Sequence, residues 1–193
     1  MRLAGITAAT VAGAVAVVAP AWPAEAVNEA YVRSLAVPGK TVLVVEYYDA
    51  GGKVVARKGY VSATGYQVTS ATDFRVDETV SLHLFGIEPC DGAMVNRREA
   101  YAGTCAAFAR QEFEVAVRAA KVIFCRAFLT EQTAPVQDAT CYGYYHFPGS
   151  LDSVNMIEEQ LVSIGSHRIA KKTDGSPSRE DLLEAEKIGR QGY

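Results

Sequence analysis

Four cysteines, at positions 90, 105, 125 and 141, and three histidines, at 83, 146 and 167, carry the most reactive side chains of this 193-residue chain. No two cysteines form a C-x-x-C pair, and no histidine stands at metal-ligand spacing from them, which argues against a structural zinc site. An even cysteine count behind an apolar N-terminus favours disulfides in an oxidising compartment, and four cysteines allow three pairings. The nucleophile-elbow, P-loop, dinucleotide-binding and H-E-x-x-H motifs are all missing, so each histidine is expected to be structural or superficial. Tyr142, Tyr144 and Tyr145, followed by His146 and Phe147, are residue types that stack on bases. The acidic balance favours aromatic packing within a strand instead: Lys and Arg number 19 against 22 Asp and Glu, for a net charge of −3. Phosphate contacts need a basic excess, so nucleic acid is not the expected partner. Lys171-Lys172 reads as a solvated loop.

The elements that must position these residues follow from hydrophobic period. Hydrophobic residues make up 49% of the chain and charged residues 21%, which fits a folded core. Residues 1–26 contain Arg2, an apolar run and a small-residue Ala24-Glu25-Ala26 site. They read as a secretory signal peptide or as a retained membrane anchor, since Leu3 to Pro23 is uncharged and long enough to span a bilayer. Residues 27–59 form an N-terminal extension: a short helix over 27–37, then a hairpin of strands 41–48 and 54–61 around Asp49-Ala50-Gly51-Gly52.

The central stretch runs from Val68 to Asp91. Phe74, Val76, Val80, Leu82 and Leu84 roughly alternate with polar residues, predicting a strand pair turned at Asp77-Glu78. A polar loop through Asn96, Arg97, Arg98 and Glu99 leads to a helix over 105–117, with Ala106, Ala109, Phe113, Ala116 and Val117 on one face. Strands are expected over 121–128 and 137–147. Helices are expected over 153–165, and over 178–190 with a capping-box-like Ser178 and Asp181.

The central stretch resembles the staphylococcal nuclease-like (thermonuclease) family, whose members carry a strand of the form V-x-D-G-D-T, a hairpin, and then R-L-x-G-I-D-x-P-E. Here the frame reads Val68-Thr69-Ser70-Ala71-Thr72-Asp73 and His83-Leu84-Phe85-Gly86-Ile87-Glu88-Pro89-Cys90-Asp91. The resemblance covers residues 60–193 and implies an α+β, mainly β fold: a small five-stranded OB-type barrel flanked by about three helices. A hairpin centred near residue 133 would set Cys125 opposite Cys141 and leave Cys90 with Cys105. Exported relatives have cysteines at similar places. The N-terminal hairpin is not common to all members, so it is either a partner surface or padding beside the barrel.

In active relatives two aspartates hold Ca²⁺, two arginines stabilise charge on phosphorus, and a glutamate helps activate water. Carried over, the first metal aspartate falls on Thr72, with Asp73 one residue away. The second falls on Glu88, the glutamate on Asp91, and the two arginines on His83 and Val136. Asp73 and Glu88 are the weak metal candidates. Each lost transition-state donor costs about 10²–10³ in rate. The resemblance therefore implies a non-catalytic structural or interaction module with protein partners and no cofactor. It is expected to be exported or membrane-anchored, and to serve as an accessory subunit of a membrane complex facing a periplasm, the cell exterior or a mitochondrial intermembrane space. The alternative is a secreted Ca²⁺-dependent nuclease with a remodelled site.

Overall fold

A computed structural model describes residues 26–91, 103–149 and 151–191. The expected anchor or signal segment and the Asn96–Glu99 loop lie outside the described residues, apart from Ala26. The fold is α+β and mainly strand. The chain runs α1 (Glu29–Ser34), β1 (Thr41–Tyr48), β2 (Val54–Ser62), β3 (Gln67–Val68), β4 (Asp73–Arg75), β5 (Ser81–Leu84), β6 (Ile87–Pro89) and α2 (Cys105–Ala119). It continues with β7 (Val122–Phe128), β8 (Val136–Tyr145), β9 (Ser153–Met156), α3 (Ile157–Ser163), β10 (His167–Ile169) and α4 (Leu183–Gln191).

Seven strands form one sheet in the order β2-β1-β7-β8-β5-β4-β3, with β9 added on β8, and β10 pairs with β6 in a separate ribbon. Most neighbours are antiparallel, but β1 lies parallel to β7 and β5 parallel to β8. The two end strands of the order, β2 and β3, are consecutive in the chain, separated only by residues 63–66. All seven contribute to one core, which includes Leu43, Val45, Tyr47, Phe74, Leu82, Leu84, Ile123 and Cys125, with Ala56 and Tyr60 of β2 packed against it.

Alternation explains how β1 is buried on both faces. Leu43, Val45 and Tyr47 enter the main core. Val42 and Val44 point the other way, into a second cluster with Val32, Val122, Phe124 and Tyr144 that α1 covers. α1 is short, begun by Asn28, whose side chain accepts the Tyr31 N–H at 3.0 Å. It is fixed by tertiary contact, including an edge-on packing of Tyr31 against Phe124. The N-terminal hairpin is thus woven into the sheet through β1.

The structure corrects several local expectations. The central stretch forms four short strands instead of two, because a tight turn with Gly86 at φ +74° splits its second half into β5 and β6. The helix expected over 153–165 begins only at Ile157. Ser153–Met156 forms β9 instead, because Tyr142–Tyr145 offers an open strand edge. The expected capping box at Ser178 does not form. Ser178 N–H bonds Ala170 O at 2.8 Å, Asp181 is taken by Arg179, and a 3₁₀ turn over Glu180–Leu182 leads into α4. In α2, Phe108 rather than Ala106 belongs to the buried face. The sheet also has more strands than the five expected.

The cysteine pairing agrees with expectation. Cys125 and Cys141 are cross-strand partners on β7 and β8 and are disulfide-bonded, and Cys90 is bonded to Cys105 at the start of α2. Two disulfides fit an oxidising compartment. Among the described residues no helix is long and apolar enough to cross a membrane.

Candidate functional site

The residues expected to carry chemistry fall into two clusters on the short strands β4, β5 and β6. In the first, Asp73 and His83 are cross-strand partners, so their side chains leave the sheet on the same face. His83 Nδ1 lies 2.8 Å from Asp73 Oδ1. The other carboxylate oxygen, Oδ2, accepts the hydroxyl of Ser70. Ser70 Oγ in turn accepts the backbone N–H groups of Thr72 and Asp73 at 3.1 and 2.9 Å. Both oxygens of Asp73 are therefore committed within a turn that the sequence Ser-Ala-Thr-Asp closes on itself. Thr72 is buried, and its backbone carbonyl accepts the Leu84 N–H at 2.9 Å.

In the second cluster, β6 and β10 place Glu88 opposite Arg168. The guanidinium lies 2.9 Å from Glu88 Oε1, and its other terminal nitrogen is ion-paired with Asp91. One arginine bridges the two carboxylates, Glu88 and Asp91, that were expected at metal-binding and water-activating positions. Val136, expected where the resemblance would put a second arginine, begins β8 beside Ser81 and is 53% exposed.

This donor set does not fit Ca²⁺. The ion takes six to eight oxygen ligands at 2.3–2.6 Å. Here Asp73, Glu88 and Asp91 each have protein partners, and no cluster of three or more His, Cys, Asp or Glu with metal-binding geometry exists among the described residues. The Arg168 guanidinium already occupies the pair on which an ion would depend and offsets half of its charge.

A buried polar network holds this frame from behind, and sequence reasoning missed it. Glu158 of α3 accepts the Cys141 N–H at 3.1 and 3.2 Å, with Arg179 Nη1 at 3.9 Å. Arg179 forks onto Asp181 at 2.9 and 2.7 Å and also donates to Phe85 O and Thr140 Oγ1, both at 3.2 Å. Burial pushes Glu158 up to about 7, against the pull of Arg179. His167 is fully buried, its Nε2 2.8 Å from Ala71 O and its Nδ1 2.9 Å from Ser166 Oγ. Desolvation drives it down to about 4, so it is neutral. In the sequence these residues sit 18 or more positions from Cys141, Phe85 and Ala71, except Glu158, and nothing in their local pattern marks them as buried.

The remaining histidine, His146, pairs through Nδ1 with Asp152 Oδ1 at 2.6 Å, and Tyr144 donates to Asp152 Oδ2 at 2.7 Å. The tyrosines expected to pack do so: Tyr144 and Tyr145 are buried, and Tyr142 faces Arg126, whose guanidinium carbon is 5.8 Å from the ring centre.

A scan against protein-family models finds no match, and no curated protein matches this chain significantly.

Proposed function

We propose that the chain is a catalytically degenerate module of the staphylococcal nuclease-like fold, with a structural or interaction role. The observation that carries this reading is Arg168, which ties Glu88 and Asp91 together where an active relative needs free carboxylates. Asp73, saturated by Ser70 and His83, and the apolar Val136 support it. The OB-type barrel belongs to the same proposal. Its support is that β2 and β3, at the two ends of the strand order, are consecutive in the chain and share one core, as in a sheet rolled onto itself.

The domain works in an oxidising compartment, exported or membrane-anchored, as an accessory subunit of a membrane complex. Two disulfides and the apolar residues 3–23 support that placement. The test is a single-stranded DNA cleavage assay with Ca²⁺, paired with gentle detergent extraction of the native protein. No cleavage and stoichiometric co-purifying proteins are expected. Calcium-dependent cleavage abolished by Glu88→Gln would establish the nuclease alternative, and recovery of monomer alone would sink the subunit role.

A further inference from the structure

The starts of β1 and β7, the end of β8 and the end of α2 carry a different surface. α2 runs away from the Cys90–Cys105 bridge for 15 residues, about 22 Å at 1.5 Å per residue. Its last turn, with Arg118, reaches the start of β7 at Lys121. Lys121 is joined to the end of β8 through its N–H on Tyr144 O, and to the start of β1 through its carbonyl, which accepts the Val42 N–H. These ends border an open groove of about 970 Å³ whose lining includes Lys40, Arg118, Lys121, Tyr66, His146 and Asp152.

The charge here runs against the chain as a whole. Lys40, Arg118 and Lys121 are exposed. Neither lysine side chain has a carboxylate at ion-pair distance among the described residues, and Arg118 meets Glu114 only at 4.0 Å. The one acidic side chain among the lining residues, Asp152, is already occupied by Tyr144 and His146. Beside this basic groove the β8–β9 connection projects two large apolar residues. Leu151 is 91% exposed, the most of any large hydrophobic among the described residues, and Phe147 is 53% exposed. Phe147 stacks beside Tyr145, with ring centres 6.4 Å apart and planes 1° from parallel.

An exposed aromatic and an exposed leucine on the β8–β9 connection, next to a groove lined by exposed cations, match the two layers of a membrane interface: acyl boundary for the apolar residues, phosphates for the cations. We propose that this end of the domain docks on an anionic lipid surface, Phe147 and Leu151 entering the interface and Lys40, Arg118 and Lys121 facing headgroup phosphates. The occupant is a lipid surface rather than an apolar protein groove, because the three cations need a dense array of anions. The inference stands apart from the nuclease resemblance, since Thr72, His83, Glu88, Asp91 and Val136 are not among the groove's lining residues.

The test uses the full chain with its only tryptophan moved to the tip, as Trp22→Phe with Phe147→Trp, and vesicles containing chain-brominated lipids. Quenching is expected with vesicles containing phosphatidylglycerol. Lys40→Ala with Lys121→Ala is expected to weaken binding on the order of 25-fold, about fivefold per charge, with further loss in high salt. A second reporter, Trp22→Phe with Leu151→Trp, guards against local damage from the first. Failure of both reporters to be quenched on anionic vesicles overturns the proposal. So does quenching that is equal on neutral vesicles and insensitive to the lysine substitutions. Because the readout is at the tip, attachment through residues 3–23 alone gives no signal.

Discussion

Arg168 stands directly across the β6–β10 ribbon from Glu88, and the same guanidinium holds Asp91. The pairing commits both carboxylates of a potential cation site to one cation and halves their net charge. Arg168→Ala should release both carboxylates and give measurably tighter Ca²⁺ binding than the parent chain. Calorimetric titration with Ca²⁺ checks this. The pairs are partly exposed, so the cost in stability should be small, about 0–1 kcal/mol.

Two buried groups set opposing pH dependences. Glu158 is raised from 4.5 to about 7, so it favours the folded state below 4.5 and loses that contribution as pH rises to about 7. His167 is lowered from 6.5 to about 4, so it favours the folded state above 6.5 and loses that contribution as pH falls to about 4. Between pH 4.5 and 6.5 the slopes offset. Glu158→Gln should leave stability falling toward acid across this window, whereas His167→Gln should leave it falling toward neutral pH. Urea midpoints at a series of pH values measure both.

Arg179→Met should cost about 3–5 kcal/mol, because it removes a buried guanidinium that bonds Asp181, Phe85 O and Thr140 Oγ1 and pushes Glu158 still further toward its protonated form. Combining it with Glu158→Gln should recover part of the loss. Denaturant unfolding of the two single variants and the double variant checks the coupling.

Gly86 has φ +74°, and a Cβ there would lie 2.6 Å from Arg179 Cγ. Gly86→Ala should destabilise by more than about 1 kcal/mol, since backbone strain and steric overlap add. Arg179 is fully bonded and has little freedom to yield. Thermal unfolding of the variant is the measurement.

Each disulfide closes a loop of about 15 residues, worth on the order of 3 kcal/mol. They differ in access: Cys125 and Cys141 are fully buried, whereas Cys90 is half-buried. Mild reductant without denaturant should open Cys90–Cys105 first. Alkylation followed by peptide mass analysis should find label at Cys90 and Cys105 before Cys125 and Cys141.

Local pattern determined much of this protein by itself. The β-rich runs Thr41–Tyr48 and Val54–Val61, the turn at Asp49–Gly52, the periodic face of α2 and the β7–β8 hairpin are local signals legible in the sequence. They appear in the fold nearly at their expected bounds. The hairpin register also brought Cys125 and Cys141 together, since a strand pair relates residues equidistant from its turn. What only the tertiary structure decided is which distant groups meet. Ser153–Met156 became a strand because β8 presented an open edge. Arg168 reached Glu88 across a ribbon joining segments nearly 80 positions apart. Glu158, His167 and Arg179, polar residues that composition alone would place at the surface, were buried because partners from other elements satisfied them. The basic groove and its apolar tip likewise exist only because the ends of β1, β7, β8 and α2 converge. Period reports which face of an element is apolar, whereas pairing across the chain depends on long-range geometry that no local window contains.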